Sequence, residues 1–337
     1  MTKNGAGAII SIHKLQKMRA KGAGMSSKGE SKIAVIAAII GNIAIAVVKF
    51  IAAAITGSSA MISEGIHSLV DTGNGGLLLL GMKEAKKAPD ETHPFGHGKA
   101  LYFWTLVVSV SIFGIGGGLS LYEGISHIRH VDPEAIFTNP MANYIVLAIA
   151  VIIEGGSFSV AIREFNKMRG KQSPWSYIRH AKDPSTYTVV MEDSAAMLGL
   201  VFAFLGVFFG HLLENPYLDG AASVAIGLLL MSVAFVLAFE TKELLLGEGL
   251  NKEQIAEMRR QVEADPAVER GAEILTMYMG PHDLLVNLAV CFKPGLSAEQ
   301  VHDAVHRLQE GIQKSYPEAV RVYIETESLA DAGSCLR

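Results

Sequence analysis

Long apolar runs separated by short polar segments fill the chain up to about residue 246, and beyond it the pattern shortens to ordinary amphipathic elements. Six runs stand out, at residues 33–55, 60–81, 101–127, 142–165, 187–213 and 217–240. Each is about 20 residues or longer with few charges, and about 20 residues at 1.5 Å rise cross the hydrocarbon of a bilayer. The pattern therefore predicts six transmembrane helices. "ITGSSA" (55–60) and "LLENPYLDG" (212–220) read as tight hairpins, with Pro216 opening the sixth span. "GNGG" and "GIGGG" in the second and third spans predict close helix approach, the usual way membrane helices pack. Past residue 247, residues 252–264 have helical periodicity, and "AEILTMYMG" and "LLVNLAVCF" read as strands around a Gly-Pro-His-Asp turn. Residues 297–315 form a second helix and "AVRVYIETES" a third strand. The order α-β-β-α-β suits a small α+β domain of ferredoxin-like type with both helices on one face. Its other face needs a partner, so a homodimer is expected. The division is then 1–32 basic tail, 33–246 all-α membrane bundle, 247–328 soluble domain and 329–337 tail.

Composition agrees with the pattern. The 337 residues are 50% hydrophobic and only 18% charged, with a mean hydropathy of +0.32. Basic residues cluster before the first span (Lys3 to Lys32), between spans two and three (Lys83, Lys86, Lys87, Lys99) and between four and five (Arg163 to Lys182). The alternate loops carry only Arg129. The positive-inside rule then places both termini in the cytoplasm. A multi-pass protein of a bacterial inner membrane is favoured over one in an organelle. The N-terminal thirty residues lack the apolar core of a cleaved signal peptide. Being basic and free of acids before Glu30, they read as a cytoplasmic tail, with a mitochondrial presequence as the other reading. Cys291 and Cys335 have no metal-type spacing and read as free thiols. The net charge of −4 names no partner, and none of nucleic-acid type is expected.

Ionisable residues inside the apolar runs are more informative. "MISEGIHSLVDTGNGG" (61–76) carries Glu64, His67 and Asp71. His67 and Asp71 are four apart and stand one above the other on a helix. Glu64 projects within about 20° of Asp71. A charge at the bilayer centre costs at least ~2.5–3.5 kcal/mol, so a polar face here needs a reason. One reading is a buried His–Asp pair locking two helices. The other is a cation site, because "VVMEDSAAMLG" in span five brings Glu192 and Asp193 to a similar depth. One imidazole with carboxylates suits a transition metal in tetrahedral geometry, Zn²⁺ foremost. Consecutive residues point about 100° apart, so Asp193 is the expected ligand. Glu192 is then a fourth ligand, an outer acceptor or a proton carrier. Lys49 and Glu154 read as lone intramembrane charges, each in a structural pair or lining a cavity. In "PDETHPFGHGK" (89–99), Asp90, His93 and His97 have the spacing of a small metal site. The same loop also reads as a proline- and glycine-fixed turn with His97 hydrogen-bonded.

"SSAMISEGIHSLVDTGN", followed by "HPFGHGKALYFWTLVVS", resembles the cation diffusion facilitators. The resemblance runs from the first span to the last strand. It implies a six-helix dimeric transporter that exchanges Zn²⁺ or a related ion for protons. It also implies a transport site with His67 and Asp71 from the second helix. The fifth helix of such proteins usually adds a His and an Asp four apart. Asp193 matches, but Val189 stands where the His is expected. That departure, with the Glu192–Asp193 pair, is similar to the branch containing an animal mitochondrial zinc transporter. Some members bind a regulatory zinc in the loop, which carries over to Asp90, His93 and His97. The soluble domain resembles the family's metallochaperone-like domain. Its late metal positions hold Ile324 and Thr326, so its expected work is dimerisation.

The expected activity is export of a divalent cation, zinc foremost, against protons, by rocking around a midplane site between helices two and five. Mn²⁺, Fe²⁺, Co²⁺ and Cd²⁺ are the alternative cargoes, and a membrane metal sensor or scaffold without flux is the alternative role. No HExxH motif and no Walker loop occur, so neither a zinc hydrolase nor an ATP-driven pump is expected.

Overall fold

The computed structural model describes the fold of residues 30–130 and 140–327. The expected tails, apart from Glu30 to Lys32, and the loop at 131–139 lie outside the described residues. Helix α1 is Glu30–Thr56 and α2 is Ser59–Ala85, each 27 residues long. Helix α3, Ala100–His130, contains a π-helical stretch at Ile112–Gly118. Helices α4 (Pro140–Arg169), α5 (Pro174–His180), α6 (Pro184–Leu212) and α7 (Tyr217–Leu246) follow. Four of these, α3, α4, α6 and α7, are long and apolar enough to cross a membrane. Helix α2, with 27 residues, is slightly shorter, and its polar face interrupts the apolar run. In α1, side chains are described from Asn42, where Asn42–Thr56 is apolar. Apolar side chains such as Ile152 and Phe235 stand exposed on the outside of the bundle, as hydrocarbon contact requires.

Helix ends carry the chemistry that starts them. Gly57 turns the α1–α2 hairpin at φ +69, where a β-carbon would clash with the backbone. Buried Asp219, in the first turn of α7, then accepts hydrogen bonds from Ser58 Oγ (2.7 Å), Ser59 Oγ (3.0 Å) and the Ala60 amide (3.3 Å). A carboxylate at the N-terminal end of α2 meets its free amides and its dipole together. Asp183 caps α6 directly before Pro184.

The glycines divide in a way the sequence did not show. A β-carbon on Gly124 would meet the Gly220 carbonyl at 2.7 Å, and one on Gly227 would meet the Gly117 carbonyl at 2.9 Å. Each contact is returned from the other side, so two glycine pairs seven residues apart seat α3 on α7. The "GNGG" glycines do not pack in this way. Gly73 and Gly76 have no neighbour within 4 Å, and Gly75 lines a cavity.

The soluble domain has the order α8 (Lys252–Glu263), β1 (Val268–Gly280), β2 (Asp283–Phe292), α9 (Ala298–Ser315) and β3 (Arg321–Glu327). Capping boxes at Asn251/Gln254 and Ser297/Gln300 start both helices. β1 and β2 are antiparallel, and β3 lies parallel to β2 in the order β1-β2-β3. Met258, Val262, Leu308 and Ile312 from the helices pack on Leu284, Val286, Leu288 and Val290. The α+β order is as expected, but the ferredoxin-like description fails. A split β-α-β motif needs a strand between the two it connects, and here β2 and β3 pair directly. Cys291 is disulfide-bonded rather than free, and Cys335 lies outside the described residues.

The two parts meet at the loop before α3. Gly98 runs so close to the backbone of Met279 and Gly280 that no β-carbon fits. Lys99 Nζ donates to the Leu245 carbonyl (3.4 Å), Lys182 pairs with Glu248 (2.7 Å), and the Tyr278 amide donates to the Glu248 carbonyl (3.0 Å).

Overpacking the α3–α7 seam should destabilise the bundle where filling the open positions does not. Gly124→Leu is expected to cost about 1–3 kcal/mol or more, and Gly73→Ala little. Thermal unfolding of the detergent-solubilised variants checks this: equal midpoints for both would contradict the seam.

Candidate functional site

Four helices converge on one cavity. It has a volume of about 370 Å³ and lies among α1, α2, α4 and α6, with Asp71, Glu192, Asp193 and Val189 in its wall. Leu79, Met82, Glu164 and Ser185 also line it, so it extends toward the helix ends nearest the soluble domain. The periodicity of α2 explains the floor. Glu64, His67 and Asp71 fall on its inward face, while Leu69 is 55% exposed on the outer one.

His67 is buried, and its Nε2 lies 3.5 Å from Asp71 Oδ2. Neither ring nitrogen has a hydrogen-bond partner, and Asp71 Oδ1 has none either. Leaving buried polar atoms unpaired costs about 1–3 kcal/mol each, so the His67–Asp71 contact alone does not satisfy these groups. The carboxylates of α6 are held from both sides. Asn74 Nδ2 donates to Glu192 Oε1 (2.9 Å), and Ser157 Oγ donates to Asp193 Oδ2 (3.4 Å). Asp71, Glu192 and Asp193 thus share one cavity. His67 stands behind Asp71, outside the cavity wall. Both members of the Glu192–Asp193 pair reach the cavity, where the expectation had Asp193 as ligand and Glu192 as fourth ligand, outer acceptor or proton carrier. This donor set is open. Among the described residues, Asp90, His93 and His97 form the only group of three whose donor atoms lie within 4.8 Å of one another. Metal bonds of about 2.0–2.2 Å would need the α2 and α6 donors to close inward.

The clamp in this loop centres on Asp90 rather than on a hydrogen-bonded His97. Asp90 Oδ1 accepts from the Thr92 hydroxyl (2.8 Å), the His93 amide (2.6 Å) and the Thr92 amide (3.0 Å). The Thr92 hydroxyl and these further bonds hold the Asp90 carboxyl down at about 2. The acid therefore stays ionised throughout the range in which imidazoles titrate. The bonds form a clamp, and the same clamp gathers donors. His93 Nδ1 is 3.3 Å and His97 Nε2 3.5 Å from Asp90 oxygens, and the buried His97 Nδ1 lacks a partner. Gly96 at φ +87 makes the turn, and Arg321 of β3 lies over the Phe95 ring.

The structural pairing expected for Lys49 and for Glu154 is present, as one buried cluster that sequence reasoning had not joined. Lys49 Nζ donates to Glu64 Oε2 (2.8 Å), Glu154 Oε1 (2.7 Å) and Ser68 Oγ (2.9 Å). Lys49 and Glu154 had been read separately. An apolar segment holding a lysine implies a partner carboxylate, which was the signal available. Asn74 and Ser157 were also missed.

The Cation efflux transmembrane domain profile matches residues 35–246. The chain is 36% identical over 266 residues to the protein named "Proton-coupled zinc antiporter SLC30A9, mitochondrial" of Xenopus laevis, covering 78% of this chain and 47% of that protein. For the Homo sapiens protein of that name it is 35% over 254 residues, 75% of this chain and 44% of the other. It is 28% identical over 226 residues to metal tolerance protein C4 of Arabidopsis thaliana, with coverages of 66% and 49%. The chain thus spans about half the length of these relatives. Two of the names say mitochondrial, so the preference for a bacterial inner membrane finds no support here.

Val189 is the position where one residue changes the donor set. It lines the cavity one turn from Asp193, so Val189→His would add an imidazole to a carboxylate-rich wall. In a background lacking His93 and His97, Zn²⁺ affinity should rise at least roughly tenfold, the scale on which ligand partners act. Mn²⁺ affinity should not follow. Isothermal titration calorimetry checks both, and unchanged affinities would place the ion elsewhere.

Proposed function

Because the chain belongs to the cation efflux family, we propose that it carries a divalent metal cation, zinc foremost, across a membrane in exchange for protons. The observation that carries this reading is the cavity whose wall holds Asp71, Glu192 and Asp193, with the unpaired His67 imidazole against Asp71. The bundle is read as six spans, α1 to α4, α6 and α7, with the soluble domain and both termini in the cytoplasm. The distribution of Lys and Arg supports that orientation. The cavity, on the soluble-domain side, is then the cytoplasmic entry to the site.

Zn²⁺ would be held by His67, Asp71 and Asp193, with Glu192 as the fourth donor. The chemistry of exchange follows from the donors. A neutral imidazole and ionised carboxylates bind M²⁺, and each proton they take up removes a lone pair and a negative charge from the site. Metal and protons therefore compete for the same groups, which is what antiport requires. Val189 makes the donor set more oxygen-rich than two imidazoles would, so Mn²⁺ and Fe²⁺ remain competing cargoes. Asp90, His93 and His97 are proposed as a second metal site at the cytoplasmic mouth, supported by their gathered donors. A homodimer is supported by the sheet face opposite the helices, where Leu275 and Tyr323 are 54% and 52% exposed. Both pair with Asn287 of β2, so they form one row across the sheet.

Proteoliposomes with a zinc gradient and an internal pH dye test the proposal. The wild-type chain is expected to move zinc and protons in opposite directions. Asp71→Ala and Asp193→Ala should each reduce both fluxes to the level of protein-free vesicles while retaining a folded thermal transition. Normal flux in either variant would remove the shared site.

A further inference from the structure

Beyond the floor of the cavity lies the Lys49 cluster, and its position assigns it a task. Asn42 of α1 lines the cavity, and Lys49 lies seven residues, about 10 Å, further along that helix, away from the soluble domain. Glu64 lies the same distance beyond Asp71 on α2, and Glu154 lies nearly one turn beyond the cavity residue Ser157 on α4. The cavity is therefore on one side of the carboxylates of α2 and α6, and the ion cluster is on the other.

Lys49 is fully buried and bound to both acids at 2.8 and 2.7 Å. These bonds join α1 to α2 and α1 to α4 at one level. A second tie, from Thr56 Oγ1 to Asn143 Oδ1 (2.8 Å), joins α1 to α4 nearer the hairpin end. Gly199 of α6 lies against Glu64 Oε1 with no space for a β-carbon, so α6 closes the same level from a third side. Glu64 Oε1 and Glu154 Oε2 have no hydrogen-bond partner. These oxygens are the next donors that a cation leaving His67 and Asp71 would reach.

We infer that Lys49, Glu64 and Glu154 form the far gate of the transport path, with the Lys49 ammonium as a tethered cation. In the conformation with the cavity on the soluble-domain side, the ammonium occupies the carboxylates and holds α1, α2 and α4 together. In the opposite conformation it releases at least one of them, the seam opens, and the freed oxygens face the departing metal. A buried ion pair suits this task. It is a strong tie when intact, and removing one partner leaves an uncompensated buried charge that favours an arrangement open to water. The inference rests on the transport reading above for the identity of the path, but the gate itself is read by accessibility rather than flux.

The test uses two thiol probes in the full-length protein, labelled in detergent with a charged methanethiosulfonate and corrected for the parent without the probe. Ala53→Cys sits on the face of Lys49 one turn further out, where Ala53 is 5% exposed. Ala161→Cys lines the cavity. Lys49→Met is expected to raise the labelling rate at position 53 at least about tenfold and to lower it at 161, because a two-state element shifts both sides in opposite senses. Glu154→Gln, which keeps the acceptor but removes the charge, should shift both rates the same way by less, and it serves if Lys49→Met does not fold. Unchanged rates at both probes would overturn the gate. Rates rising together would also overturn it, because they would show general loosening. Absence of metal flux in the wild-type chain would instead remove the transport reading, and leave the reciprocal labelling to be judged alone.

Discussion

The expense of leaving a charge uncompensated in a low-dielectric interior governs the arrangement of this chain. The described helices bring Glu64, Asp71, Glu154, Glu192 and Asp193 inward, against Lys49 as their ammonium partner. Lys49 pairs with one oxygen each of Glu64 and Glu154, and Asp71, Glu192 and Asp193 are left without a cationic side chain among the hydrogen bonds around them. Such a set is stable only if protons or a bound cation balance it. The excess of carboxyls is what the proposed exchange of protons for a cation would draw on. The same constraint separates the two clusters along α2, one paired with the protein's own ammonium and one without a cationic side chain.

The C-terminal domain is tied to this bundle by close backbone contacts and a side-chain ion pair. Gly98 against Met279 and Gly280, the Lys182–Glu248 pair, and the Tyr278–Glu248 hydrogen bond lie next to the loop holding Asp90, His93 and His97. Helix α3 starts two residues after Gly98 and is seated on α7 by the two glycine pairs. The exposed row of Leu275 and Tyr323 lies on the same sheet, which is the face proposed to meet a second copy.

Much of this was legible in the sequence because the signals were periodic or costly. The apolar runs gave the helices, and His67, Asp71 and Asp193 stood out because charges in such runs need a reason. The α-β-β-α-β order could be read from helical periodicity and strand alternation. What could not be read was long-range pairing. Lys49 and Glu154 are 105 residues apart, and nothing local to either names the other. The glycines of "GNGG" looked like those of "GIGGG", yet Gly117 packs on α7 while Gly73 and Gly76 face open space, since a missing side chain does not record what fills its place. The ferredoxin-like expectation failed because strand order depends on which edge α9 returns to, and the strand pattern alone does not contain that.

The donor set is the central claim, and X-ray absorption at the zinc edge reads it directly. With zinc bound to full-length protein lacking His93 and His97, the account predicts a coordination shell of nitrogen and oxygen at about 2.0–2.2 Å, with the outer scattering of a single imidazole. Sulfur at about 2.3 Å, two or more imidazoles, or no imidazole at all would contradict a site built from His67, Asp71, Asp193 and Glu192.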